Sequence, residues 1–366
     1  MGVSFQYSIV SQSYVGRVSL RTKICLTNSL GGEALFRNFI NTHDFEPIIE
    51  EIRQGRLPLR RILSNLLASG KRRTKKTWSR IDSPPVTWSH IPAIQERWNR
   101  LVTGDPNTGY YEYISKKYLN GRSFLLALSL ACGSGGSELK WAQSGKFKRI
   151  DGYDLSDEGI AHANQEAREK HCENIVNLQV ADVYDLKIID NHYDIVLAES
   201  AFHHLTPLDV IMERASRFLN PNGYLIVKDF VGPTRFQWTD RQLNIVNGLL
   251  EVLPRRYRTR WGSGTIKSKV FRPSILSMLL MDPSEAVESS RIMPLLRKFF
   301  DVVEVKGYGG TILNLLFSEI AHHFVSDDED ANRILRHCLE VEDLLLELEE
   351  VPSDFVFAVC KKRAAK

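Results

Sequence analysis

The sequence predicts an α/β protein, a mostly parallel sheet with helices on both faces. Three observations predict it. First, the apolar run Leu125–Leu130 breaks into a small, glycine-rich turn, Ala131-Cys132-Gly133-Ser134-Gly135-Gly136, after which Glu138, Leu139 and Trp141 fit a helix. Second, another apolar stretch closes on Asp154, 21 residues after Gly133. A parallel strand-turn-helix-strand unit needs this spacing. Third, Val176–Val180 and Tyr193–Ala198 fit two more strands, each followed by an acid, Asp182 and Glu199. Alternating strands and helices build such a sheet.

The remaining elements follow in chain order. Residues 1–90 form an N-terminal extension, with apolar helical faces between Phe45 and Leu67 and a basic run from Lys71 to Lys76. That run reads as a solvated linker or as a contact for an anionic partner. Ile91–Leu101 and Tyr110–Leu119 fit two helices around a turn at Thr103–Asn107. Pro207 can open a helix, whose apolar face carries Val210, Ile211, Ala215, Phe218 and Leu219. Asn220–Gly223 reads as a turn, and Tyr224–Val227 as a strand running to Lys228 and Asp229. Leu243–Leu253 reads as a helix ending at Pro254, and Phe299–Val305 and Phe355–Cys360 as closing strands. Between these, Ile334, Cys338, Val341, Leu345 and Leu348 mark an amphipathic helix expected on the sheet, or else a dimer contact.

The turn also carries chemistry. Backbone N–H groups at Gly133–Gly135 and a carboxylate at Asp154 suit a nucleoside-bearing ligand, whose ribose hydroxyls the acid can accept. A dinucleotide site would need a third glycine where Glu138 stands. A carboxylate there repels a pyrophosphate but tolerates a sulfonium or an amino group.

The ordered series CGSGGSE, GYDLS, VADV, YDIVLAESAFHHL and LNPNGYLIV resembles the class I S-adenosylmethionine-dependent methyltransferases, in particular their small-molecule branch. The resemblance covers roughly Gly121–Val231 and a closing C-terminal strand. It implies a Rossmann-like, seven-stranded, mostly parallel sheet with one reversed strand. To this it adds an N-terminal helical extension, lid helices at 91–119 and C-terminal helical insertions at 232–298 and 307–350, the methyltransferase domain being 91–366. S-adenosyl-L-methionine is the implied cofactor. Ala131, Cys132, Gly133, Ser134 and Gly135 would lie against its methionine part, Asp154 and Leu155 at the ribose, Asp182 and Val183 at the adenine, and Glu199 and Ser200 near the methyl. Ser129 and Ala131 depart from the pattern, which has an acid and a glycine there. Glu138 is a candidate to supply the missing charge.

Other readings stand beside these. Asp154 and Asp182 can instead cap helices, and Glu199 can be a loop residue. His203 and His204 are the candidate general bases, since imidazole titrates near neutral pH. Being adjacent, they are expected to point apart, with at most one reaching a substrate. Tyr110, Arg235 and Trp238 are candidate substrate contacts, with packing and solvent exposure as the alternatives. Arg255–Trp261 mixes cations with aromatics and reads as an anion site or a solvated surface.

Composition narrows the class. The 366 residues are 43% hydrophobic and 25% charged, globular values. A net charge of +4 does not mark a nucleic-acid binder. The Asn/Asp-Pro-Pro-aromatic loop that stacks a flipped base is absent after Glu199, as is a Pro-Cys nucleophile. Five cysteines are scattered without metal or disulfide spacing, so no metal is expected and a reducing, cytoplasmic setting is. No secretory signal, membrane span or myristoylation signal is read. The expectation is methyl transfer to a small-molecule acceptor, a hydroxyl of a sugar or natural product. The alternatives are a nucleic-acid or protein methyltransferase and a non-catalytic binding module. A homodimer stays open.

Overall fold

The computed structural model describes residues 86–363. The helices expected within 45–67, the basic run at 71–76 and nearly all of the 1–90 extension lie outside the described residues. Two helices come first, α1 (Pro92–Thr103) and α2 (Tyr110–Lys117). Pro92 opens α1, where a missing N–H costs nothing, and Gly104 closes it at φ 88°. The alternating unit follows as β1 (Leu125–Leu130), α3 (Gly136–Gln143), β2 (Phe147–Asp154), α4 (Asp157–Glu169) and β3 (Val176–Val180). Next come β4 (Tyr193–Glu199), α5 (Leu208–Phe218) and β5 (Leu219–Phe230). The chain ends with α6 (Asp240–Val252), α7 (Ile275–Met281), α8 (Ile292–Phe299), β6 (Phe300–Gly307), α9 (Leu313–Phe317), α10 (Glu329–Glu347) and β7 (Phe355–Lys362).

The strands pair in the order β3-β2-β1-β4-β5-β7-β6. Only β7 is reversed, antiparallel to both β5 and β6. This is the expected seven-stranded, mostly parallel sheet. Its strand order turns back on itself between β1 and β4, and a parallel sheet binds ligands outside the carboxyl ends at such a switch point.

Both faces are covered, which is why the strands read as continuous apolar runs. Ala127, Ile195, Leu197 and Ile226 face one way, packing with Leu139 and Trp141 of α3 and Ala163 of α4. Leu128, Val196, Ala198 and Val227 face the other way, against Ile211, Met212 and Ala215 of α5 and Leu296 of α8. A third cluster joins the insertions, with Val246, Leu250, Leu316, Phe317 and Leu335 around Ile91 and Ile94.

Three local expectations change. Pro207 caps α5 from outside, and the helix starts at Leu208. Asn220–Gly223 lies within the bounds of β5, yet pairing jumps from Tyr193–Leu219 to Ile195–Tyr224, so these residues bulge out of register. The inward face of α10 holds the expected Cys338, Ile334 and Leu345, but its buried centre runs Ala331, Leu335, Cys338 and Glu342, and Leu348 is 63% exposed. That face belongs to the third cluster, not to the sheet. The basic stretch is partly neutralised within the chain, Arg256 pairing with Asp330 and Arg260 with Glu319.

Candidate active site

The turn after β1 is shaped by backbone that side chains rarely allow. Ala131, Gly133 and Gly135 have φ of 51°, 56° and 75°. A Cβ on Gly135 would fall 2.7 Å from Ala163 Cβ and 2.8 Å from Leu178 Cδ1, so only glycine brings α3 this close to its neighbours. A Cβ on Gly133 would meet nothing within 4 Å, leaving its backbone approachable. Asp154 Oδ2 accepts from the Gly133 N–H at 2.9 Å, and Oδ1 accepts from the Ser156 N–H at 2.8 Å. Asp154 therefore ties the end of β2 to the turn. It does not cap α4; Ser156 does, accepting from Gly159. Leu155 is half-buried beside it, and Ser134 is exposed at the tip of the turn.

Asp182 accepts from the Tyr184 N–H at 2.9 Å just past β3, and Val183 is buried. No helix lies between β3 and β4 for Asp182 to cap. Cys132 is half-buried behind the turn, and Ser200, at φ 52°, is exposed past β4.

Ser129 and Glu138 meet under the turn. Ser129 Oγ donates to Glu138 Oε1 at 2.5 Å, and both side chains are 2% exposed. Burial pushes the Glu138 carboxyl up to about 7, against the opposing effect of the Ser129 bond. Its Oε2 is buried with no hydrogen-bond partner. The first turn of α3 thus brings a carboxylate onto the Ser129 hydroxyl at the end of β1.

Glu199 ends β4 inside an aromatic surround. It accepts from Tyr110 Oη, from Tyr111 Oη at 3.3 Å and from Trp141 Nε1 at 2.6 Å. Its strand partner Lys228 places Nζ 5.0 Å from the Tyr110 ring centroid and 5.4 Å from that of Trp98. Tyr110, Tyr111, Trp98, Lys228, Tyr308 and Phe357 help line a cavity of about 250 Å³. α1 and α2 therefore wall this cavity, with Tyr110 among its lining residues.

Across the sheet, His203 and Asp229 form a buried couple. Asp229 is 1% exposed, and its Oδ1 bonds His203 Nδ1 while Oδ2 accepts from the N–H groups of Ala201 and Phe202. Burial opposes charge on the His203 ring, but Asp229 outweighs it and leaves the imidazole above its usual value. Burial and the neighbouring His203 hold His204 well below. The two rings do not diverge as expected. Their centroids lie 3.7 Å apart at 45°, because a short 3-10 turn, Phe202–His204, stacks one on the other.

Arg235 and Trp238 both make contacts within the chain. Arg235 Nη1 donates to the carbonyls of Pro283 and Glu285, so its charge braces that loop. Trp238 stacks on Phe236 and packs with the third cluster, two rings removed from His203 through Phe236 and Phe230. Sequence reasoning missed three residues of this region. Asp229 had a signal, an acid near the end of a predicted strand. Glu285 had none, since it arrives from the insertion. Lys228 reads as an ordinary strand-end cation until its aromatic neighbours are seen.

Residues 128–227 match the methyltransferase domain family. The chain is 27% identical over 104 residues to a 27-O-demethylrifamycin SV methyltransferase of Amycolatopsis mediterranei, covering 28% of this chain and 38% of that protein. It is 27% identical over 113 residues to the ubiquinone/menaquinone biosynthesis C-methyltransferase UbiE of Shewanella pealeana, covering 31% and 45%. The match thus spans less than half the length of these relatives. Among solved structures, geranyl diphosphate C-methyltransferase from Streptomyces coelicolor A3(2) aligns with a TM-score of 0.44 and 12% identity, over 81% of this chain and 99% of that one. Among the described residues, no helix is long and apolar enough to cross a membrane.

Proposed function

We propose that the protein transfers a methyl group from S-adenosyl-L-methionine to a hydroxyl of a small-molecule acceptor, such as a sugar or natural product. The His203–Asp229 couple carries this reading. Asp229 accepts a hydrogen bond from Nδ1–H, which leaves the Nε2 lone pair as the one basic atom the ring can present. A base so oriented can take the proton of an attacking hydroxyl, a contribution of about 10²–10⁴-fold.

The cofactor-side residues fit the nucleoside. The buried, unpartnered Glu138 Oε2 suits the cationic methionine part, and the bare face of Gly133 admits its backbone. Asp154 and Asp182 suit the ribose and the adenine. When bound, S-adenosylmethionine supplies an electrophilic sulfonium methyl, so the reaction needs alignment more than covalent help.

Calorimetric titration with S-adenosylmethionine tests the binding half. Incubation with radiolabelled cofactor and a panel of hydroxylated natural products tests transfer. Binding without any methylated product would support a non-catalytic module; no binding would end the proposal.

A further inference from the structure

His203, His204 and Glu285 bring three metal-competent side chains together, with one ligand atom from each within 4.8 Å of the others. Each is held for a separate reason. The Nδ1 bond to Asp229 turns His203 Nε2 toward Glu285 Oε1, 3.7 Å away. A histidine whose far nitrogen is bonded to a carboxylate is the usual arrangement behind a metal ligand, since it fixes both tautomer and ring orientation. The close packing of the tilted rings brings His204 to the same carboxylate, with Nδ1 3.9 Å from Glu285 Oε2; that nitrogen also donates to the Ser284 carbonyl at 3.4 Å, so ligation by Nδ1 would displace this bond.

Glu285 is delivered by a braced loop. Val287 N–H donates to His203 O at 2.9 Å, Arg235 N–H donates to Ala286 O at 2.7 Å, and the Arg235 guanidinium holds the Pro283 and Glu285 carbonyls. The 3.7 and 3.9 Å separations are too long for hydrogen bonds. They suit ligand atoms on either side of an ion with bonds of about 2.0–2.2 Å.

We propose that His203 Nε2, a ring nitrogen of His204 and the Glu285 carboxylate form a site for one divalent transition-metal ion. Two imidazoles and one carboxylate favour zinc, cobalt or nickel over calcium or magnesium, which prefer all-oxygen sites. Three protein ligands leave a coordination position open. The site stands on its own geometry and does not depend on methyl transfer. If that reaction is correct, the two uses compete, because one lone pair cannot both hold an ion and accept a proton. Metal loading would then silence the base.

The test uses the full-length, metal-stripped protein titrated with Co²⁺ near neutral pH, followed by visible absorption. One Co²⁺ per chain should develop intense d–d bands that Zn²⁺ abolishes. Glu285→Gln and His204→Ala should each weaken Co²⁺ uptake by about tenfold or more, and Asp229→Asn by about 10–100-fold. Circular dichroism of each apo variant shows whether it is folded. A wild-type spectrum identical to aqueous Co²⁺ would overturn the site without any variant. So would bands that persist unchanged in folded Glu285→Gln. Because this readout needs neither cofactor nor acceptor, it is separate from failure of the methyl-transfer reading.

Discussion

Ser129 Oγ and Glu138 Oε1 are 2.5 Å apart beneath the glycine turn, so a hydroxyl on β1 is bonded to a carboxylate on α3. The pair is sealed from solvent, and the carboxyl titrates at about 7 instead of near 4.5. Between those values the folded protein keeps a proton that the unfolded chain has released. Stability therefore falls as pH rises through that window, by about 3 kcal/mol in total. Glu138→Gln should remove this slope and gain more stability at about pH 8 than at about pH 5. Denaturant unfolding at several pH values reads it directly.

The same carboxyl links binding to protons. A cationic methionine part beside Glu138 favours its ionised form. S-adenosylmethionine uptake below neutrality should therefore release a proton from wild type and none from Glu138→Gln. Titration calorimetry in buffers of different ionisation enthalpy measures that release. Equal release from both would remove Glu138 from the site.

Asp229→Asn should lower turnover by about 10²–10⁴-fold, since the amide can no longer fix the productive tautomer of His203. The base must be neutral to work, so the rate rises with pH through the His203 value, which Asp229 holds high. Any residual activity of Asp229→Asn should accordingly show its acid limb at lower pH. His204→Ala should cost about tenfold or less, far below the loss from His203→Ala. A pH–rate profile of kcat/KM for the three variants checks both points.

Asp154→Ala should abolish measurable S-adenosylmethionine binding and loosen the turn, because the acid also accepts the Gly133 and Ser156 N–H groups. Each charge-assisted bond of this kind is worth about 1.5–3 kcal/mol. Calorimetry and thermal melting on the same sample separate the two effects. Unchanged affinity would count against the whole cofactor assignment.

Arg97 pairs with Glu342 at 2.8 Å and Asp343 at 2.5 Å, and Glu342 also accepts from the N–H groups of Gly310, Ile312 and Leu313. Arg97→Ala would strand a fully buried carboxylate. A loss of about 3–5 kcal/mol in unfolding free energy is expected, measured by urea denaturation.

The sheet was legible because two-sided burial writes itself as apolar runs such as Leu125–Leu130, punctuated by the Gly133–Gly135 turn. The turn and its strand-end acids could be placed for the same reason, since their spacing is set by one parallel crossover. What depends on distant segments could not be read. Glu285 reaches His203 across 82 residues, and no local pattern announces the meeting. The stacking of His203 on His204 follows from a 3-10 turn that two adjacent histidines do not signal. On α10 the apolar pattern marked Ile334, Cys338 and Leu345 but passed over Glu342, a charged residue that is buried there.

The buried knot around Glu342 has a mechanical outcome. One carboxylate clasps the 309–313 bend, while Arg97 fastens α1 to α10. The α1 part of the wall over the aromatic cavity is thereby tied to a distant helix. Admission of a guest on that side would have to shift both helices as one block, and amide exchange in α1 and in 309–313 should accelerate or slow in step.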